Sequence, residues 1–240
     1  MASHPHALWP PEEENRLAVL RAYDILHSLQ EPLFTKLVEL TARLFNVPIS
    51  LISLVDAEEV EYKASYGLPE LRTQPRGEAM CALPVKYEQA VVFTDLALDN
   101  SLTMEAATAA HAKGLRFYAG APLRMRTQAC IGTLCLIDRQ PRAFSMPEQQ
   151  VLEHLAHVVA HLIAVRHACV ARQSAGSDAW VVVSGKLKVE LQALIALVDY
   201  LVGYSGPHVP VSATVLASVA QRLSIFHERL QVYQAEALGF

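Results

Sequence analysis

Apolar positions along this 240-residue chain follow two rhythms, and the change from one to the other outlines its elements. Arg116 to Asp138 is the densest stretch: two runs of strand-forming residues flank the polar turn Arg126-Thr127-Gln128. That predicts a hairpin at the centre of a sheet, with a concave face over a pocket. Gly120 and Gly132 lie inside the runs, so each marks a bulge or the close approach of a ligand or another backbone. Ile49 to Val55 is nearly continuous and β-branched, as in a strand covered on both faces. Asp56 to Glu59 turns the chain, Val60 to Tyr66 returns as a strand, and Val91 to Thr94 adds a short one.

The other rhythm is helical. Pro10-Pro11 and Glu12 to Glu14 open a helix with acids at the positive end of its dipole, and Leu17, Leu20, Tyr23 and Leu26 give it one stripe. Glu31-Pro32 interrupts, and a second helix carries Leu33, Leu37, Leu40 and Leu44. Gly67 to Gly77 reads as a loop, Glu78 to Leu83 as a helical turn, and Ser101 to Lys113 as a helix stopped by Gly114. Ser145 then caps the longest helix, with Glu148 at the capping-box position, running to about Arg172. Val151, Leu155, Val158, Leu162, Val165 and Cys169 form one apolar line, and Leu152, Ala156, Val159, Ile163 and Val170 a second. Two lines suggest a second partner surface, most simply another subunit; packing on two elements of the same chain is the alternative.

Gln173 to Asp178 is a polar Ser/Gly stretch and marks a domain boundary. Beyond it Leu187, Leu191, Leu194, Val198 and Leu201, then Leu216, Val219, Leu223, Phe226, Leu230 and Tyr233, make heptad seams on two helices separated by Gly203 to Pro210. Two such hairpins joined in a four-helix bundle would bury both seams. The expected division is an arm at 1–11, a sensor domain with its exit helix at 12–172, a linker at 173–179 and a helical hairpin at 180–240.

Composition narrows the function. With 52% apolar and 18% charged residues the chain can build a core, and a net charge of −4 gives no electrostatic case for nucleic acid. No apolar run reaches the roughly 18 residues of a membrane span, and no secretory leader is visible, so the expectation is a cytoplasmic protein without membrane contact. Cys81, Cys130, Cys135 and Cys169 lack zinc spacing and read as reduced thiols. On one strand, the odd separation of Cys130 and Cys135 points them to opposite faces.

Residues 12 to 166 resemble a GAF domain, a cytosolic sensory fold. The resemblance rests on Glu14 to Leu26 (ENRLAVLRAYDIL), Leu33 to Leu68, the hairpin motifs RFYAGAPL and IGTLCLID, and Ser145 to Ala156 (SMPEQQVLEHLA). It implies an α+β fold, an α/β/α sandwich with a central antiparallel sheet of five or six strands, followed here by an all-α hairpin. It also implies a pocket for a small molecule or partner over the sheet, and helical dimerisation. Tyr62, Cys81, Leu83, Phe93, Asp95, Tyr118 and Gly120 are the pocket candidates. Related sequences often place a histidine two residues after the cysteine; Leu83 stands there instead. The helix before the hairpin lacks the Cys-His pair of bilin-attaching members, and the cyclic-nucleotide signature is missing, so neither bilin nor another named cofactor is expected. Free methionine sulfoxide reductases of this fold cluster cysteines around the pocket loops, where Cys81 is alone in sequence.

Val183 to Leu201 resembles the first helix of the dimerisation and phosphoacceptor hairpin of histidine kinases. Ser184, Leu187, Lys188 and Leu191 match it, whereas Gly185 replaces the phosphoacceptor histidine, Lys186 the acid and Glu190 the proline. No ATP-binding domain follows before Phe240; a generic coiled coil would give the same spacing. His154, His157 and His161 share one side of the exit helix and read as metal ligands or, better, as a solvated or rim face; no metal is expected. His208 reads as a displaced phosphoacceptor or as an exposed turn residue. Asp95 reads as a cap or a ligand donor, and the pocket aromatics as core or as a ligand platform. The combined expectation is a non-enzymatic, homodimeric signalling protein acting with a histidine kinase or response regulator. Its dimer contacts would come from Val151, Leu155, Val158 and Leu162 of the exit helix and from Leu187, Leu191, Leu194, Val198, Leu216, Val219, Leu223 and Phe226. The alternatives are a thiol reductase using Cys81 and an adaptor whose pocket is plugged by its own side chains.

Overall fold

The computed structural model describes residues 12–25, 31–68, 72–99, 102–171, 179–205 and 209–238. The expected arm, Leu26, the linker at 173–178 and His208 lie outside these residues. The elements run α1 (Glu13–Ala22), α2 (Pro32–Phe45), β1 (Ile49–Val55), β2 (Glu59–Tyr66), β3 (Thr73–Pro75), two 3-10 turns (Arg76–Glu78 and Met80–Ala82), α3 (Leu83–Tyr87), β4 (Val91–Phe93), α4 (Met104–Ala112), β5 (Phe117–Arg124), β6 (Cys130–Asp138), α5 (Met146–Ala171), α6 (Ala179–Ser205) and α7 (Ala213–Leu238). The six strands form one sheet in the order β3-β2-β1-β6-β5-β4, every pair antiparallel.

The sheet is covered on both sides, which is why β1 is buried throughout and β6 as far as Ile137, with no alternation of buried and exposed positions. Ile52, Leu54, Phe117, Ala119, Leu134 and Leu136 meet α2 and α5. Leu51, Tyr62, Tyr118, Cys135 and Ile137 meet the 3-10 turns, α3 and Ala110 of α4. Gly132 lets β1 come close: a Cβ there would stand 2.0 Å from the Ser53 carbonyl oxygen. Between Leu123 and Arg124 the β5–β6 register slips, so that Leu123 pairs with Gly132 but Arg124 with Cys130. This bulge reverses the alternation. Cys130 and Cys135 therefore lie in the same layer, which corrects the expectation of opposite faces.

Two short elements differ from the reading of the sequence. β3 lies inside the expected loop Gly67 to Gly77, and α3 continues past Leu83. Three residues on a sheet edge and five in a helix are too few to show a period. On α1 the deepest residues are Leu20 and the charged Arg16, not a full apolar stripe. Arg16 Nη1 donates to the Val55 carbonyl at 2.7 Å, and Glu13 takes bonds from both Arg16 and Arg76. Burial pushes the Glu13 carboxyl up, but the two arginines more than offset it, and its pKa is lowered.

Both stripes of α5 are internal except at their far end, where Val170 is exposed. α5 packs on both β5 and α7, while α6 lies on α2 and α7. Arg43 pairs with Asp199 at 2.7 Å, and Glu31 holds both Arg166 and the Trp180 indole N–H. The twelve expected dimer contacts, Val151, Leu155, Val158, Leu162, Leu187, Leu191, Leu194, Val198, Leu216, Val219, Leu223 and Phe226, are each at most 6% exposed within one chain. The hairpin closes its seams on α2 and α5 of its own chain, so these residues do not supply a surface for a second copy. Gly185, at the kinase-like phosphoacceptor position, has nothing within 4 Å of where a Cβ would sit. By length and composition α5 is apolar enough to span a bilayer, although no uninterrupted apolar run in it does so. Its apolar positions are spent on the sheet and on α7.

The start of α5 closes as a capping box. Ser145 N–H donates to Glu148 at 2.7 Å, and Glu148 N–H to Ser145 Oγ at 3.3 Å. The fully buried Glu148 also holds Arg142 at 3.0 Å and the backbone N–H of Val211, in the connection between α6 and α7, at 3.0 Å. Glu148→Ala is expected to cost about 3–5 kcal/mol, since it strands a buried guanidinium, whereas Ser145→Ala costs about 1 kcal/mol; urea denaturation checks both. Glu13, with its lowered pKa, contributes stability above the unfolded value of 4.5 that is lost as pH falls through the folded one. Glu13→Gln is therefore expected to flatten the acid side of the stability profile, followed by thermal melts at successive pH values.

Candidate functional site

The layer between the sheet and the short helices is built from β5 upward. Along β5, Tyr118 and Gly120 point to this side, and the tyrosine ring lies over the glycine. A Cβ at residue 120 would fall 2.3 Å from the Tyr118 hydroxyl and 3.0 Å from Pro84. The close approach at Gly120 is thus made by the protein's own tyrosine. Phe93 pairs with Tyr118 across β4–β5, their ring centroids 6.3 Å apart. The 3-10 turn Met80–Ala82 brings in Cys81, whose carbonyl accepts from Thr133 Oγ1 at 2.7 Å. Tyr62 enters from β2 and donates its hydroxyl to Gln74 at 2.9 Å. Leu83 packs at the edge of the same layer.

Six of the seven pocket candidates therefore meet. Asp95 stands apart: it pairs with Arg116 through two bonds of 2.8 and 2.7 Å and accepts from Ala97 N–H at 3.1 Å. Arg116 holds the Asp95 carboxyl below the usual carboxylate range. Its cap role is the one the geometry displays.

What the layer encloses is small. The space bounded by Leu51, Tyr62, Met80, Cys81 and Ala110 is about 30 Å³, room for a single water rather than an organic ligand. The aromatic side chains serve as core. The Tyr118 hydroxyl is buried without a hydrogen-bond partner, and burial pushes its pKa well up.

Cys81 has a partner that its sequence position did not announce. Its Sγ lies 3.4 Å from Sγ of Cys135, and both thiols are free. A thiol donated by Cys135 holds Cys81 down, and burial pushes Cys135 well up. The sequence signal was the side-by-side placement of Thr133 and Cys135 on one face of β6, which only the fold connects to Cys81.

A second cluster sits where α5 meets α7. His154, His157 and His161 border this contact and gather around His227, which the sequence reading passed over. His161 Nδ1 is 3.1 Å from His227 Nε2, and its Nε2 is 2.9 Å from Gln234 Oε1. The His157 ring is parallel to that of His227 at 5.0 Å, and His154 is 6.5 Å away. Burial pushes His154 and His161 down; burial and the neighbouring imidazoles take His227 to about 4. His227 directly follows the seam residue Phe226, a signal legible only once the hairpin is known to fold back on α5.

Comparison with known proteins agrees with this architecture. Residues 30–163 match the GAF domain family. Over 161 residues the chain is 32% identical to a Pseudomonas aeruginosa protein named cyclic di-GMP phosphodiesterase PA2567, covering 66% of this chain and 26% of that one. The chain thus spans about a quarter of that relative's length. That match overturns the expectation of a non-enzymatic protein, because the relative is named for an enzymatic activity. Among solved structures, the GAF domain of an Acinetobacter phosphoenolpyruvate-protein phosphotransferase is 21% identical, covering 66% of this chain and 97% of that one, with a TM-score of 0.48. Free methionine-R-sulfoxide reductase from Neisseria meningitidis is 17% identical, covering 67% and 90%, with a TM-score of 0.45.

Gly120→Ala is expected to destabilise by about 1–3 kcal/mol through overpacking against Tyr118. Tyr118→Phe removes an unpaired buried hydroxyl and is expected to be neutral or slightly stabilising. In the double variant the alanine should cost less, since the nearest clashing atom is gone; a double-mutant cycle in urea measures that coupling.

Proposed function

This chain belongs to the GAF domain family, and from that premise we propose that it is the sensory region of a bacterial signalling protein, reporting the state of the layer over its sheet to the α6–α7 hairpin. The observation that carries the proposal is the double engagement of α5. This helix packs on β5 and on α7 at once, with its apolar residues buried between them. β5 and β6 in turn present Tyr118 and Cys135 to the layer and Phe117, Ala119, Leu134 and Leu136 to the helices. A ligand or partner that rearranges Tyr118 or Cys81 would shift these strands, and α5 would repack against α7. Packed interfaces of this kind favour discrete arrangements over continuous deformation.

The output we propose is a change in cyclic di-GMP turnover, on the strength of the named relative in Pseudomonas aeruginosa. Removing the protein from its host should change the cellular concentration of cyclic di-GMP, measured by mass spectrometry of nucleotide extracts. An unchanged concentration removes this output. The coupling is tested apart from it. Tyr118→Ala opens the layer, and hydrogen exchange of α7 amides should then rise several-fold although the substitution lies on the far side of the sheet. Exchange altered only around the sheet would refute transmission through α5.

The Cys81–Cys135 pair favours a second reading, a thiol-dependent sulfoxide reductase. Two thiols would yield a disulfide, giving two electrons and two protons, and the sulfoxide oxygen would leave as water. The enclosed 30 Å³ must open for any such substrate. Methionine sulfoxide consumption abolished by Cys81→Ser would support it; no consumption by the parent protein removes it.

A further inference from the structure

We propose that His157, His161 and His227 bind a divalent transition-metal ion, zinc above all, at the junction of α5 and α7. Its basis is the histidine geometry, independent of the signalling role. His157 and His161 are four residues apart on one helix, the spacing that puts two imidazoles on one face. His227 faces them from α7, with its ring centroid 5.0 Å from that of His157 and 4.9 Å from that of His161. In a tetrahedral site with bonds of roughly 2.0–2.1 Å, ligand nitrogens are about 3.3 Å apart and ring centroids about 5 Å. His161 Nδ1 and His227 Nε2, at 3.1 Å, already meet that separation within a few tenths of an ångström.

The second nitrogen of His161 is also prepared. Gln234 Oε1 can only accept, so His161 Nε2 carries the proton and Nδ1 presents its lone pair. Metal-bound histidines are commonly oriented by such a partner. In the metal-free arrangement His227 donates to that lone pair; the ion takes the place of this hydrogen bond, and the His227 proton moves to its Nδ1. As the side chains stand, no group of three His, Cys, Asp or Glu among the described residues is placed to hold a metal ion. His157 supplies the missing step: it is exposed, and its ring, now 4° from parallel with His227, turns a nitrogen inward when the ion binds. Water or His154 completes the set.

The surroundings allow a cation to arrive. His157 borders an open hollow of about 370 Å³ shared with Glu88, Arg124 and Glu153. Arg126, from the β5–β6 turn, acts on His161 and opposes the ion, whereas Glu153 stands beside His157 and favours it. Once bound, the ion would tie the exit helix of the sensor to the second helix of the hairpin.

Calorimetric titration of the full, untagged chain with zinc chloride tests the site, with cobalt as a spectroscopic substitute. The expected result is one zinc per chain at micromolar affinity or better, and the visible absorption of tetrahedral cobalt. His157→Ala and His227→Ala should each weaken binding about tenfold or more, with circular dichroism confirming that each variant is folded. Zinc should raise the melting temperature of the parent but not of His227→Ala. Reading the site as the difference between parent and variants removes any contribution from His4 and His6. Affinity unchanged in His227→Ala, or no saturable binding by the parent, overturns the proposal.

Discussion

A carboxylate at zero exposure has to be satisfied from every side, and in this fold that requirement falls on Glu148. Its partners come from three places: Ser145 at the start of its own helix, Arg142 in the segment leaving β6, and the backbone of Val211 between α6 and α7. Arg142 in turn donates to the Phe45 carbonyl at the end of α2 and stands over the Phe117 ring. One carboxyl group therefore fixes where the exit helix begins, how it meets the sheet and where the hairpin returns. Removing one partner of such a pair leaves the other charged and buried, the costly case. Apolar stripes alone would hold α5 on the sheet but would let it slide along its axis; the charge pins its register.

How much of this was legible in the sequence depended on the length of each pattern. β1, β2, β5, β6 and the long helices carry enough residues for their periods to show, and the capping box at Ser145 and Glu148 was written in four residues. What the stripes of α5 could not say was whose surface would cover them. A heptad seam looks the same whether its partner is a second copy or a helix of the same chain, because the pattern records only that an apolar face must be buried. The answer lay in scattered polar pairs, Arg43 with Asp199 and Glu31 with Trp180, each separated by well over a hundred residues. The candidate site was partly legible in the same way. Tyr118, Phe93, Tyr62 and Cys81 do meet, but the choice between a ligand platform and a filled core depends on whether the side chains touch, which no spacing encodes.

The filled layer recasts the glycine at residue 120. It permits a bulky tyrosine to lie flat on its own strand, and so it serves closure rather than access. The domain has its aromatic side chains, two nearby thiols and very little free volume on one face of the sheet, and α2 and α5 on the other. In the proposed sensory role, a signal would act by displacing or modifying those side chains.

The register slip at Leu123 and Arg124 carries a consequence for comparing this chain with its kin. A single additional residue at the start of β6 exchanges the two faces for everything before Gly132 on that strand. A gapless alignment to a relative without the bulge would set Ile131 against a pocket-facing residue and Cys130 against a helix-facing one, the reverse of their places here. Against such a relative, position-by-position transfer of site residues keeps the right face from Thr133 onward and the wrong one just before Gly132.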